Sequence, residues 1–229
     1  MKKLFKFLFF ILVIVILFNV YVEAANKSKY SIDKNLKKQV SDDVENYVTL
    51  GEIPENLKVA IVAVEDRRFY YHPGFDPIAL VRASMVNLKE GRYKQGGSTI
   101  TQQLSKNLFL SSKKTMDRKL KELAFAIKLE TLYSKEDILE MYLNVIYFGD
   151  GAYGVQNASR KFFNKDVSKL SKEESALLAG LPQAPSIYNP NDSIKNAKRR
   201  QTEVLKILDN KEKKHKIKGR IMDVIAISQ

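Results

Sequence analysis

One pairing of motifs constrains this chain more than any other feature. The run Glu65-Asp66-Arg67-Arg68-Phe69-Tyr70-Tyr71-His72-Pro73-Gly74 is followed, with 21 residues between, by Gly96-Gly97-Ser98-Thr99-Ile100-Thr101-Gln102-Gln103. Upstream of Glu65, Leu57, Ala60, Ile61 and Val64 repeat at i, i+3, i+4 and i+7, and Pro54 suits a first helical turn. This predicts an apolar helix with an acid at its end. Beyond the glycine pair, Ile100, Leu104 and Leu108 recur every fourth residue. They predict a second helix whose buried stripe leaves Thr99, Gln102, Gln103 and Lys106 on the other side.

An acid and a glycine loop in this order suit chemistry on a sugar carried by a phosphate leaving group. Burial and the negative end of a helix both disfavour an ionised carboxylate, which suits Glu65 to accepting a proton from a hydroxyl. A helix N-terminus presents free N–H groups that favour anions. Taken singly these signals are weak. A lone glutamate at a helix end is usually an ordinary surface residue, and Gly-Gly-Ser-Thr is more often a linker. A third cluster, Arg118-Lys119-Leu120-Lys121-Glu122, places Arg118 and Glu122 four apart on one helical face. Leu120, Leu123 and Ile127 are expected on its core side. Lys106 and Lys114 could neutralise a departing diphosphate.

The sequence holds no cysteine and a net charge of +13, which excludes disulfides and thiolate metal sites and points to an anionic partner. The run Phe7 to Val22 is apolar apart from Asn19, with Lys2, Lys3 and Lys6 before it. With Leu4 and Phe5 it reaches the ~20 residues a bilayer span needs. The expectation is a cytoplasmic segment 1–6, a transmembrane signal anchor 7–22 and the remainder outside the cytoplasm; cleavage near Ala24 is the competing reading. That placement argues against a nucleic-acid partner. Residues 23–50 read as a polar stalk, 51–200 as the main domain, and 201–229 as a C-terminal helix and basic tail. Helical periodicity dominates, so the fold class is mainly α.

Five ordered blocks, EDRRFYYHPGFD, GGSTITQQL, RKLKE, KEDILEMYLN with YFG, and KEESALLAGLPQAPSIYNP, together resemble the peptidoglycan glycosyltransferases. These transglycosylases, glycosyltransferase family 51, also form the N-terminal domain of class A penicillin-binding proteins. The resemblance implies a lysozyme-like fold with a small membrane-facing lobe, acting outside the bacterial cytoplasmic membrane in cell wall biogenesis and cell shape. It implies that lipid II is polymerised into β-1,4-linked glycan, with inversion and release of undecaprenyl diphosphate. By the same resemblance Glu65 is the general base and Glu122 the second essential glutamate. Ser98, Thr99, Gln102, Gln103, Lys106, Lys114, Arg118 and Lys119 match substrate- and diphosphate-binding positions. It implies a divalent cation, Mg2+ or Mn2+, assisting the leaving group, although no spacing in the sequence marks a metal site, and no organic cofactor. Expected partners are lipid II, the growing glycan chain, the cytoplasmic membrane and other cell wall synthesis proteins.

The pattern Ser-x-x-Lys occurs at Ser111–Lys114 but no Lys-Thr-Gly follows, so the expectation is a monofunctional enzyme without a transpeptidase. Two other readings compete. A lysozyme-like hydrolase would need little cationic machinery for diphosphate, and Lys106, Lys114 and Arg118 argue against it. A membrane-tethered basic module that binds wall polymer without turnover is the other.

Overall fold

The computed structural model describes residues 2–91, 96–111 and 115–227. Its helices are α1 (Lys2–Ala25), α2 (Leu36–Asp43), α3 (Glu55–Glu65), α4 (Pro77–Glu90), α5 (Ile100–Phe109) and α6 (Met116–Leu132). They continue with α7 (Lys135–Val145), α8 (Val155–Phe163), α9 (Lys172–Gly180), α10 (Pro185–Tyr188) and α11 (Ile194–Ile227). Among the described residues the strands are β1 (Tyr147–Gly149) and β2 (Ala152–Tyr153), an antiparallel hairpin. Asp150 and Gly151 both take positive φ at its tip, as a tight hairpin turn requires. The fold is mainly helical, as the periodicity predicts.

The chain forms two compact units. The first comprises residues 1–45 and 69–145; the second comprises 46–68 and 146–229. In the first, α5 packs on α6 and α7. Ile100, Leu104, Phe125, Leu129, Ile138 and Tyr142 are fully buried there, and Phe109 meets Phe125 edge to face at 5.4 Å between ring centroids. In the second, α3 and α11 both pack on α9. Leu57, Ala60 and Ile61 meet this core with Ala176, Leu178, Val204 and Leu208. A Cβ at Gly180 would lie 2.7 Å from Arg200 Cγ, so this glycine allows the close approach of α9 and α11.

Three expectations change. The segment 23–50, read as a polar stalk, carries ordered structure. It holds α2, whose Leu36 and Val40 are fully buried, and Lys37 of α2 pairs with Asp137 and Glu140 of α7 at 2.7 and 2.9 Å. Nor does the domain stop at residue 200, because α11 starts at Ile194 and its Val204 and Leu208 lie in the core. On α6 the inner face carries Glu122, Phe125, Ala126 and Leu129, whereas Leu120 is 60% exposed. Paired cations make it possible to bury Glu122, which turns the helix from the orientation its leucines suggest.

Among the described residues, no helix is long and apolar enough to cross a membrane. Most side chains of the run Phe7–Val15 lie outside the described residues. Further along α1, Val22 is buried, Asn19 accepts a hydrogen bond from Lys128 of α6, and α1 packs against α6.

Candidate active site

In the first unit the site is built around the N-terminus of α5. Thr99 is the N-cap, with extended backbone, and its hydroxyl oxygen accepts the Gln102 N–H at 3.1 Å. The Gln102 side-chain carbonyl in turn accepts the Thr99 N–H at 3.1 Å. This reciprocal capping box satisfies two of the donors a helix start leaves open. The Thr99 hydroxyl also donates to the Gly74 carbonyl at 2.6 Å. Thr99 and Gln102 are therefore buried, 2% and 7% exposed, and organise the loop from within. The expected polar face of α5 is narrower than the repeat suggests: Gln103 is half-buried, and Lys106 is exposed. Gln103 accepts a long hydrogen bond from the Tyr142 hydroxyl, at 3.4 Å. Lys106 makes no ion pair with a carboxylate among the described residues.

Helix α6 supplies the charged half. Its N-cap Thr115 accepts the Arg118 N–H, and Arg118 pairs with one carboxylate oxygen of Glu122. Lys119 reaches the other oxygen at 2.7 Å and donates to the Ser98 hydroxyl at 2.8 Å. The Glu122 side chain is only 4% exposed, against 18% for Arg118 and 41% for Lys119. A buried carboxylate held on both oxygens cannot take a proton from an approaching hydroxyl without losing a cation. It can fix two cations beside the loop that opens α5. Ser98, Thr99, Gln102, Arg118, Lys119 and Glu122 are thus brought together in this unit, and Lys114 lies outside the described residues.

In the second unit Glu65 ends α3, half-buried, with Asp66 as the buried C-cap. Lys211 of α11 is partly buried. Burial and repulsion by Arg67, two residues after Glu65, hold its ammonium below the usual lysine range. Lys211 falls within the segment 201–229, and only the packing of α11 reveals its neighbour.

Among the described residues, no group of three or more His, Asp or Glu is placed to hold a metal ion.

Helix α4 is unusual. Asp76 caps it by accepting the Ile78 and Ala79 N–H groups, and Gly91 closes it in the left-handed region. Only Ala83 of α4 is buried, while Ile78, Leu80, Val81, Met85 and Leu88 are 54% to 86% exposed. Pro77, Ile78, Val81, Arg82, Met85 and Val86 line an open apolar groove. Helix α4 thus turns most of its large apolar side chains outward.

Residues 33–209 match a family model described as Transglycosylase. The chain is 53% identical over 160 residues to penicillin-binding protein 1A of Aquifex aeolicus, covering 70% of this chain and 22% of that protein. It is 47% identical over 176 residues to penicillin-binding protein 1A of Escherichia coli, covering 77% and 21%. It is 41% identical over 204 residues to penicillin-binding protein 4 of Bacillus subtilis, covering 86% and 33%. The chain thus spans between a fifth and a third of the length of these relatives.

Proposed function

The chain belongs to the transglycosylase family, and we propose that it is a peptidoglycan glycosyltransferase that polymerises lipid II into β-1,4-linked glycan. The observation that carries this reading is the Ser98–Lys119–Glu122–Arg118 arrangement at the start of α5. Two cations are held by one buried carboxylate next to a helix N-terminus, a disposition suited to a diphosphate.

In the proposed reaction the Glu65 carboxylate takes the proton from the C4 hydroxyl of the acceptor N-acetylglucosamine. The freed oxygen attacks C1 of N-acetylmuramic acid at the reducing end of the growing chain. Its bond to diphosphate breaks with inversion, and undecaprenyl diphosphate leaves with the bonding pair. Lys106, Arg118 and Lys119 offset the negative charge that develops on the leaving oxygen. Glu122 organises Arg118 and Lys119, and Thr99 with Gln102 shapes the loop.

The membrane is the proposed workplace. Lys2, Lys3 and Lys6 before the apolar run Phe7–Val22 favour a single-pass anchor with the enzyme on the outer side. The outward apolar face of α4, flanked by exposed Arg82 and Lys89, suits a membrane-facing lobe. A hydrolase reading loses ground because water as acceptor gives no reason for cations gathered at a leaving group. The deciding experiment incubates purified protein with labelled lipid II in detergent. Wild type yields glycan longer than the substrate, and Glu65→Gln loses about 10²–10⁴-fold in rate. Wild type that makes no polymer would sink the proposal.

A further inference from the structure

A second, largely desolvated charge cluster in the first unit has no place in the chemistry above. Glu130 sits in the last turn of α6 and Lys135 opens α7. Each is at the helix end its own charge disfavours, since carboxylates suit N-termini and ammonium groups C-termini. Their side chains are nevertheless only 9% and 18% exposed, and they pair at 2.7 Å. A pair against its own helix dipoles and largely desolvated contributes little net stability. What the pair holds is more informative.

One oxygen of Glu130 also accepts the Thr101 hydroxyl at 2.6 Å, tying α6 to the second residue of α5. The Lys135 ammonium donates to the His72 carbonyl at 2.7 Å and lies 4.5 Å from the centre of the Phe69 ring. Gly74, with φ +89°, rests against the Ala126 carbonyl and the Glu130 side chain, where a Cβ would come within 2.9 to 3.1 Å. The Gly74 carbonyl then accepts the Thr99 hydroxyl. Two struts therefore join the start of α5 to α6: Ser98–Lys119–Glu122 and Thr101–Glu130. Lys135 locks the second strut to the Phe69–Gly74 turn.

We propose that Glu130 and Lys135 are positioning residues for glycosyl transfer, a clamp that holds the Ser98–Gln102 loop in register with Arg118, Lys119 and Glu122. This rests on the reading of those residues as the diphosphate site. A loop shifted by 1 Å costs turnover up to about 10²-fold while leaving the substrate bound.

The test uses the full chain and four proteins: wild type, Lys135→Met, Lys135→Arg and the double variant Glu130→Leu/Lys135→Met. The double variant removes both charges at similar volume and leaves no charge buried alone, so it keeps the fold even where Lys135→Met does not. Expected for the double variant is a kcat on lipid II reduced about 10- to 100-fold, with KM within about threefold of wild type. Amide exchange is expected to quicken over residues 98–103 and stay unchanged in α9. Lys135→Arg retains most of the turnover, because a guanidinium keeps the charge, both hydrogen bonds and the stacking on Phe69. Wild-type kcat in the double variant, a loss confined to KM, failure of the double variant to fold, or a folded Lys135→Arg as slow as Lys135→Met would each overturn the clamp. If wild type itself makes no glycan, the functional reading fails. The amide exchange over 98–103 then still decides for or against the clamp.

Discussion

The Thr99 hydroxyl donates to the carbonyl of Gly74 at 2.6 Å, so two motifs separated by 21 residues in sequence meet at the cap of one helix. The same oxygen accepts the Gln102 N–H, and both bonds are buried. Losing the hydroxyl removes a cap and leaves a carbonyl unsatisfied. Thr99→Val is expected to lose about 2–3 kcal/mol of stability, whereas Thr99→Ser retains most of it. Urea unfolding of the two variants checks the difference, and equal midpoints would show that the hydroxyl is not the tie.

Gly74 combines left-handed backbone, φ +89°, with a wall only 2.9 Å from where a Cβ would sit, the Ala126 carbonyl oxygen. Gly74→Ala therefore meets both strain and a clash with backbone that cannot swing aside. We expect a loss of at least about 2 kcal/mol, read as a lowered thermal midpoint. Gly91 also has positive φ but nothing within 4 Å. Gly91→Ala should cost only the backbone term, about 1 kcal/mol.

These residues also mark where sequence reading stops. The α3 stripe is a local pattern and appears as one, and Ser171-x-x-Glu174 forms a capping box whose signature lies in the spacing alone. Thr99-x-x-Gln102 carries the same capping signature, which would have placed Gln102 inside rather than on a binding face. The Glu130–Lys135 pair leaves only a faint trace, charges at the wrong helix ends, because its partners lie 29 and 63 residues away. The inward turn of Glu122 was hidden for a related reason. Periodicity ranks residues by hydropathy and cannot foresee a carboxylate buried by its own cations.

The outward apolar face of α4 gives a prediction tied to the environment. Val81 and Met85 are 59% and 67% exposed, four residues apart on one face. If that face enters lipid, Val81→Glu/Met85→Glu opposes burial worth about 1.5–3 kcal/mol per side chain. Polymerisation of lipid II in vesicles of phosphatidylglycerol should fall about tenfold or more. In detergent micelles it should remain near wild type, because enzyme and substrate then meet without a bilayer for α4 to enter. An equal loss in both media would assign the effect to folding instead.

Lys37 joins α2 to α7 and makes stability depend on pH with a definite sign. Burial alone would raise the Asp137 carboxyl, but the Lys37 ammonium and the Ser134 hydroxyl outweigh it and hold it below the usual range. Burial alone would likewise lower Lys37, yet bonds to Asp137 and Glu140 keep it above the ordinary lysine value of 10.5. A depressed carboxyl contributes stability above its unfolded pKa, and that contribution is lost as pH falls through the folded value. A raised ammonium contributes below its unfolded pKa and loses its contribution as pH rises through the folded value. Lys37→Met should therefore cost most between about pH 5 and 10. Because Lys37 and Asp137 are about one-third exposed, the loss is discounted for solvent screening to about 1–2 kcal/mol. Denaturant melts of both proteins at pH 3, 7 and 11 check it: the gap should be widest at pH 7 and narrow at both extremes. A gap that is constant across the three would show that Lys37 acts through its methylene stem and not its charge.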